Sequence, residues 1–517
     1  MMLTLVTLWL LGASGSADGW QELKSPQFTL RTNLEKDDAL RAAVEVEWTL
    51  AALQAAMWPP VQKLGIEPVD IIVLKDSREF ERYAEGAKGL YSHGSLPPRI
   101  VLWGTPDRWE EKLNPLFTLT TPGRSLRPDP VTMDFELRAH LEMAKAGSSS
   151  VLRHELAHHV ASAVYGRVPL WFSEGQAQFL ESLKLSGDGR TATVGLMNPN
   201  AWREFRSVRA IDTLDVLRWD TPSSELSQGA SAGLYGASWQ LYQWLFTTHP
   251  AALRCFQERL AVNEEAPEAW ARCFPDLAPH VLDKDLWQFA KSGTPSVVQV
   301  PVPPLGLDVK IRPLSESEVH LVRAQVALAA VHPAKFLAEA ETEVQRALAS
   351  DPASVGALQL LAPTVPPQVR LENGRRAVAA HPDDGWAWLL LADALWDAEG
   401  PPGERYLAYH RATELLPNSP LVLARAARNL LSRDQRPEAL VMAQRAAHLA
   451  PGNAEVLTIE ALALAAAGRC ADGMSVANQA RKVLGPENSR LAVVLEVGFH
   501  RACPSDFPTD GGSGGTH

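Results

Sequence analysis

Only four cysteines occur in 517 residues, too few to organise a fold around a disulfide framework. No apolar run reaches the roughly 18 residues that a membrane-spanning helix needs. Bases are scarcer than acids, 49 Lys and Arg against 60 Asp and Glu, for a formal charge of −11. That balance speaks against a nucleic-acid partner, and no basic cluster is available to an anionic membrane surface. The chain is 46% hydrophobic and 21% charged. Such an ordinary balance excludes a disordered or collagen-like polymer, and the length suits two to four domains.

Residues 1–17 read as a cleaved signal peptide. Met1 to Leu11 are almost wholly apolar, Gly12 to Ala17 are small, and Asp18 opens the polar chain, although no Lys or Arg stands near Met1. The competing reading is a buried N-terminal strand or helix. Cleavage implies a secreted or periplasmic protein with no integral membrane segment left, in a compartment where cysteines pair. Four cysteines allow three pairings. Cys255 and Cys273 lie in adjacent helical runs, and Cys470 and Cys503 flank the last helical unit, which favours joining each of these pairs.

Between about residues 18 and 145, strand-like runs such as Phe28–Leu30, Val69–Leu74 and Arg99–Trp103 alternate with helical ones, an α+β pattern. From 146 to 292 a helical period dominates. Residues 293–314 carry five prolines and no helical period, which predicts an extended linker separating two independent halves. The stretch 503–517, with its run of glycines, reads as a flexible tail.

Residues 315–502 repeat. Arg346-Ala347, Arg376-Ala377, Arg411-Ala412 and Arg445-Ala446 each precede a proline by the same interval, and these prolines (Pro352, Pro382, Pro417, Pro451) are spaced by 30, 35 and 34 residues. Small residues recur at Ala392, Ala427 and Ala461 between apolar neighbours. A period near 34 with two amphipathic helices per unit resembles the tetratricopeptide repeat. The resemblance implies an all-α solenoid that recruits a protein partner. The second unit is short and degenerate.

His154-Glu155-Leu156-Ala157-His158 is an H-E-x-x-H sequence on a helical face shared by Leu152, Leu156 and Val160. Residues four apart project from one side of a helix, so both imidazoles can meet one metal ion, with Glu155 beside it. A catalytic zinc usually takes three protein donors and leaves one position open. Glu174, sixteen residues after His158 in Trp171-Phe172-Ser173-Glu174-Gly175, opens a helix that the break at Gly166 folds back towards the first. H-E-x-x-H, then W-x-x-E-G, then the acid Glu181 seven residues after Glu174, resembles the gluzincin metallopeptidases. More narrowly, it resembles the aminopeptidase-N-like branch and the peptidase MA-like domains of secreted bacterial proteins.

The resemblance implies a thermolysin-like α+β peptidase domain with Zn²⁺ held by His154, His158 and Glu174, and with Glu155 as general base. It also implies a Tyr at a helix start some sixty residues on as an oxyanion donor. Tyr235 lies 61 residues after Glu174 and opens the apolar run of Leu241 and Leu245. Glu181 reads as a residue that orients a ligand or as a solvated acid. His159 points about 100° away from the metal face, which makes it a supporting or surface residue. His93 and His140 have no spacing argument and read as surface residues. The G-x-M-E-N element of true aminopeptidases is absent before His154, which leaves endopeptidase and aminopeptidase open. Arg99–Trp103, placed at a sheet edge, would hold an extended peptide substrate. The leading reading is therefore a secreted zinc peptidase with recruiting repeats. The alternative is a catalytically silent envelope scaffold with a structural zinc site.

Overall fold

The computed structural model describes residues 19–59, 66–92, 98–111, 149–166, 168–207, 213–219, 228–278, 282–304, 306, 308–484 and 489–504. The signal-peptide reading, His93, His140 and most of the expected tail lie outside the described residues. In chain order the first elements are β1 (Gln21–Lys24), β2 (Phe28–Thr32), α1 (Lys36–Ala56), β3 (Val69–Leu74), α2 (Ser77–Ala84), β4 (Leu90–Ser92), β5 (Arg99–Trp103), α3 (Pro106–Trp109) and β6 (Glu110–Glu111). Then follow β7 (Ser149–Ser150), α4 (Val151–Ser162), α5 (Leu170–Glu181), β8 (Lys184–Leu185), β9 (Thr191–Val194), α6 (Pro199–Ser207), α7 (Thr213–Leu217), α8 (Gln228–Thr248), α9 (Pro250–Ala261), α10 (Ala266–Cys273) and α11 (Leu282–Ser292).

Five of these strands join β11 (Lys310–Pro313) in a six-stranded sheet of order β11-β1-β2-β3-β5-β4. The β2, β3 and β5 strands run parallel, whereas β1 and β4 are antiparallel to their neighbours. Successive side chains of a strand face opposite sides of a sheet, and β3 shows the consequence. Ile71 and Val73 enter a large core with α1, α4, α5 and α8, whereas Ile72 and Leu74 enter a second core on the other face. Asp70, almost fully buried, accepts from Arg31 at 2.7 Å and from Arg99 at 2.8 Å, so the charge at the rim of that second face is paired.

The expected peptide-holding edge is misplaced. Arg99–Trp103 lies between β3 and β4, and β4 is the outer strand. Four consecutive residues of β5 are buried because both faces of the sheet are covered, Ile100 and Leu102 in one core and Val101 in the other.

The described residues of 293–314 are extended, yet they do not separate two halves. β10 (Val298–Pro301) pairs antiparallel with β9, and β11 pairs antiparallel with β1. The next helices, α12 (Glu316–Leu328) and α13 (Leu337–Ser350), roof the second face of the sheet. There Val319, Val322 and Val326 pack with Trp20, Ile72, Phe80 and Tyr83. The first repeat is thus part of the core of the N-terminal unit.

The solenoid continues through α14 (Val355–Leu361), α15 (Pro367–Ala380), α16 (Gly385–Asp397), α17 (Pro402–Leu415), α18 (Pro420–Leu431), α19 (Arg436–Leu449), α20 (Ala454–Ala466) and α21 (Cys470–Val483), and α22 (Ser489–Ala502) closes it. Consecutive helices pack as pairs, and the short α14 is the degenerate second unit. The distal repeats touch the N-terminal unit again, beyond the end of α4 and between α9 and α10. Gly452 abuts the backbone of Gly166, Asn263 donates to Gln479 at 3.0 Å, and Lys482 pairs with Glu265. Both favoured disulfides form, Cys255–Cys273 and Cys470–Cys503. Cys503, placed in the tail by sequence, is buried and bridged, so ordered structure extends past it.

Candidate metal centre

Helix α4 starts where Ser150 caps it, its Oγ accepting from the Arg153 amide. Its apolar side buries Leu152, Leu156 and Val160. Pro169 stands just before α5, where its fixed φ suits the entry to the helix, and α5 runs back beside α4.

The two helices bring three expected ligands together. One donor atom from each of His154, His158 and Glu174 lies within 4.8 Å of the others. The Nε2 atoms of His154 and His158 are 3.2 Å apart, and Glu174 Oε2 lies 3.5 and 3.6 Å from them. Oε2 is buried and receives no hydrogen bond. Two facing imidazole nitrogens and an orphaned carboxylate oxygen form an acceptor-rich cluster that a divalent cation would satisfy. Two His and one Glu are also a donor set that zinc favours. The residues therefore fit the metal.

The far nitrogens are anchored. His154 Nδ1 lies 3.5 Å from Glu181 Oε2, and His158 Nδ1 lies 3.1 Å from Ser173 Oγ. Glu181 is itself held, since Asn198 donates to Oε2 at 3.2 Å and Arg153 donates to the Glu181 carbonyl at 2.8 Å. Such partners fix the ring orientation of metal-binding imidazoles. Burial pulls the His154 imidazole down, but contact with Glu174 and Glu181 outweighs it and holds the pKa well above its usual value. Burial acts on Glu174 in the opposite sense to the adjacent imidazoles, and the imidazoles prevail, so its carboxyl lies well below the usual range. Glu155 differs. Burial pushes its carboxyl up, and His154 and His158 offset this only in part.

The edge strand closes one side. The Tyr91 ring stacks on the His158 imidazole, with centroids 6.2 Å apart and planes 11° from parallel. Gly89 precedes it, and a Cβ there would lie 2.8 Å from Glu155 Oε1, so the chain entering β4 comes this close only because residue 89 is glycine. Gly175, next to Glu174, permits another close approach, since a Cβ would lie 2.5 Å from the Ser238 carbonyl of α8.

Tyr235 stands one turn before Ser238 on that same helix. It does not open the helix, because α8 begins at Gln228, and its ring packs edge-on against Trp219 at 5.2 Å. His159 is buried away from the cluster against the backbone of Glu67, which excludes the surface reading. Burial lowers its pKa to about 4. Sequence reasoning missed Ser173, Tyr91, Gly89 and Asn198. Ser173 had a usable signal in its position just before the third ligand, whereas the other three are brought in only by tertiary packing.

A family model described as "Protein of unknown function (DUF1570)" matches residues 148–265, a span that holds all three cluster residues and Tyr235. That description assigns no chemistry. No curated protein matches the chain. Among solved structures, MamA is 14% identical over 32% of this chain and 91% of its own, with a TM-score of 0.25. YrrB, described as a TPR protein with an unusual peptide-binding site, is 17% identical over 34% of this chain and 90% of its own, with a TM-score of 0.26. Yeast Tom70 is 12% identical over 75% of this chain and 68% of its own, with a TM-score of 0.29. With scores this low, none of these likenesses bears on function.

Proposed function

We propose that the chain is a secreted or periplasmic zinc peptidase of the gluzincin type, with a thermolysin-like catalytic region whose attached repeats recruit a protein substrate or partner. The observation that carries this reading is the orphaned Glu174 Oε2 facing the Nε2 atoms of His154 and His158. Three protein donors rather than four favour an open catalytic site over a closed structural one. When bound, zinc supplies Lewis acidity that brings the pKa of a coordinated water towards about 7.

The protein's own groups do the rest. Glu155, its carboxyl raised by burial, takes the proton of the attacking water and returns it to the leaving amine. Glu181 and Ser173 keep the two imidazoles turned to the metal. The Tyr235 hydroxyl is the proposed donor to the oxygen that gains charge as the carbonyl is attacked. β4 replaces Arg99–Trp103 as the peptide-holding edge. As the outer strand of the sheet, β4 is the proposed place for an extended substrate to lie beside Tyr91 and Glu155. The two disulfides suit an oxidising compartment.

Metal analysis combined with peptide-library digestion tests the reading. Wild type should carry about one zinc per chain, and His158→Ala should lose it. Glu155→Gln should keep zinc while cleavage falls about 10²- to 10⁴-fold, and Tyr235→Phe should cost about 10²- to 10³-fold. Stoichiometric zinc with no cleavage of any library peptide would instead support the silent scaffold.

A further inference from the structure

The repeat register exposes a change in charge pairing between two successive units. Arg370 on α15 pairs with Asp397 at the end of α16, 27 residues on. One repeat later, 35 residues along, the equivalent positions are Arg405 on α17 and Ser432 just beyond α18, and Arg405 Nη2 now meets only the Ser432 hydroxyl, at 3.3 Å. Asp393 is replaced in the same step by Arg428. The set Arg370, Asp393, Asp397 thus becomes Arg405, Arg428, Ser432, a change from −1 to +2. A further 34 residues on, the positions are Ala439, Leu462 and Ala466, with no charge.

The two cations converge on one ring. The guanidinium carbons of Arg405 and Arg428 lie 4.6 and 4.4 Å from the centroid of Trp396. Arg405 Nε donates to Asn429 Oδ1 at 2.9 Å, which commits that amide oxygen. Asn429 is 1% exposed and its Nδ2 is an unpartnered buried donor, as is Arg428 Nε. The nearby acids are already engaged. Arg425 binds both Asp393 and Glu455, and Asp393 also accepts from Tyr409 at 2.8 Å. Arg428 shares a hydrogen bond with Tyr409 and lies near enough to Glu455 to lower its carboxyl pKa, but its Nε takes no part in either contact. The junction therefore leaves two buried donors, Arg428 Nε and Asn429 Nδ2, unpartnered and sets no carboxylate beside Arg405.

We propose that this α16–α17–α18 junction docks a carboxylate side chain of a bound protein, which takes beside Arg405 the place that Asp397 takes beside Arg370. The chain's own use of a carboxylate at the equivalent position argues for that ligand, and a planar carboxylate matches the guanidinium fork. The proposal rests on the reading of the repeats as a recruiting surface and is independent of the metal centre.

Ser432→Asp in the full chain tests it by supplying the missing acid internally. The probe is a fluorescent Glu- and Asp-rich peptide, compared with its Gln/Asn counterpart and competed with acetate or inorganic phosphate. Wild type should prefer the acidic peptide, and Ser432→Asp should weaken it about 10- to 100-fold, with zinc content unchanged and thermal stability not reduced. Ser432→Asn, which adds no charge, should bind like wild type. Equal binding of acidic and neutral peptides, unchanged binding by Ser432→Asp, or competition by phosphate but not by acetate would each overturn the proposal. Loss of peptidase activity with this binding intact would count against the metal-centre reading alone.

Discussion

Cutting the chain after α11, near Ser292, removes the roof of the second core and should leave no stable peptidase fragment. The loss can be sized. Without β11, α12 and α13, the large side chains Trp20, Ile72, Leu74, Phe80, Tyr83, Leu90 and Val101 lose their cover on one side of the sheet. Complete exposure of such a side chain costs about 1.5–3 kcal/mol. If α2 and the sheet still shield half of that surface, the total is about 5–10 kcal/mol, comparable with the whole stability of an ordinary domain. The edges of β1 and β9 would also lose their β11 and β10 partners, and unpaired edges invite aggregation. A fragment running to Ser350 keeps α12 and α13 and should stay soluble. Both fragments can be compared by soluble yield, cooperative thermal unfolding and zinc content against the full chain. A soluble fragment ending at Ser292 that melts cooperatively near the full-length midpoint would refute the reasoning and restore the spacer reading of 293–314.

Glu181→Gln, which removes the charge behind His154 Nδ1, should weaken zinc about 10- to 100-fold; chelator competition measures this, and unchanged affinity would make Glu181 a bystander. Glu67 is buried, and desolvation raises its carboxyl from 4.5 to about 8. Between those values the folded chain holds a proton that the unfolded chain has released, so stability falls as pH rises, by at most ~5 kcal/mol. Burial lowers His159 from 6.5 to about 4; there the unfolded chain holds the extra proton, so acidification below 6.5 also destabilises. The two slopes oppose each other below pH 6.5, leaving the Glu67 loss exposed between 6.5 and 8. Glu67→Gln should abolish that loss in urea titrations run at several pH values, and a slope unchanged by the substitution would remove Glu67 as its source.

The convergence of His154, His158 and Glu174 was legible because its geometry is local. Helical spacing alone places His154 and His158 on one side of α4, and the Gly166 and Pro169 breaks in sequence separate it from α5, which packs beside it and carries Glu174. The edge strand was not legible, because Leu90–Ser92 is only three residues long and its position depends on the absent side chain of Gly89. Arg99–Trp103 carried a clue that was not used. The unalternating apolar run 100–103 marks a strand covered on both faces, as interior strands of a largely parallel sheet are. The start of α8 was hidden by composition. Gln228-Gly229-Ala230-Ser231-Ala232-Gly233 has poor intrinsic helicity, yet α8 packs closely enough on α6 that a Cβ at Gly236 would lie 2.3 Å from the Phe205 amide nitrogen. Tertiary packing overrode propensity there.

The proline-rich stretch shows how a sound local rule led to a wrong global one. Proline cannot donate to an interior ladder, so five prolines in 293–314 rightly excluded a central strand. They did not exclude an edge strand, whose outer side needs no donors. Both β10 and β11 are edges, each ending in a proline, Pro301 or Pro313. The solenoid is consequently fixed at its root by two strand pairings and a shared core. At its far end it is fixed again by the Gly166–Gly452 contact, Asn263–Gln479 and Lys482–Glu265. The root is apolar and extensive, whereas the far contacts are small and polar. The Arg405–Arg428 junction, between those two attachments in sequence, is thus carried by a solenoid held by the fold rather than by a spacer. Adding flexible residues within 305–308 should then shift the solenoid little, because the pairing of β11 with β1 and the packing of α12 both follow the insertion.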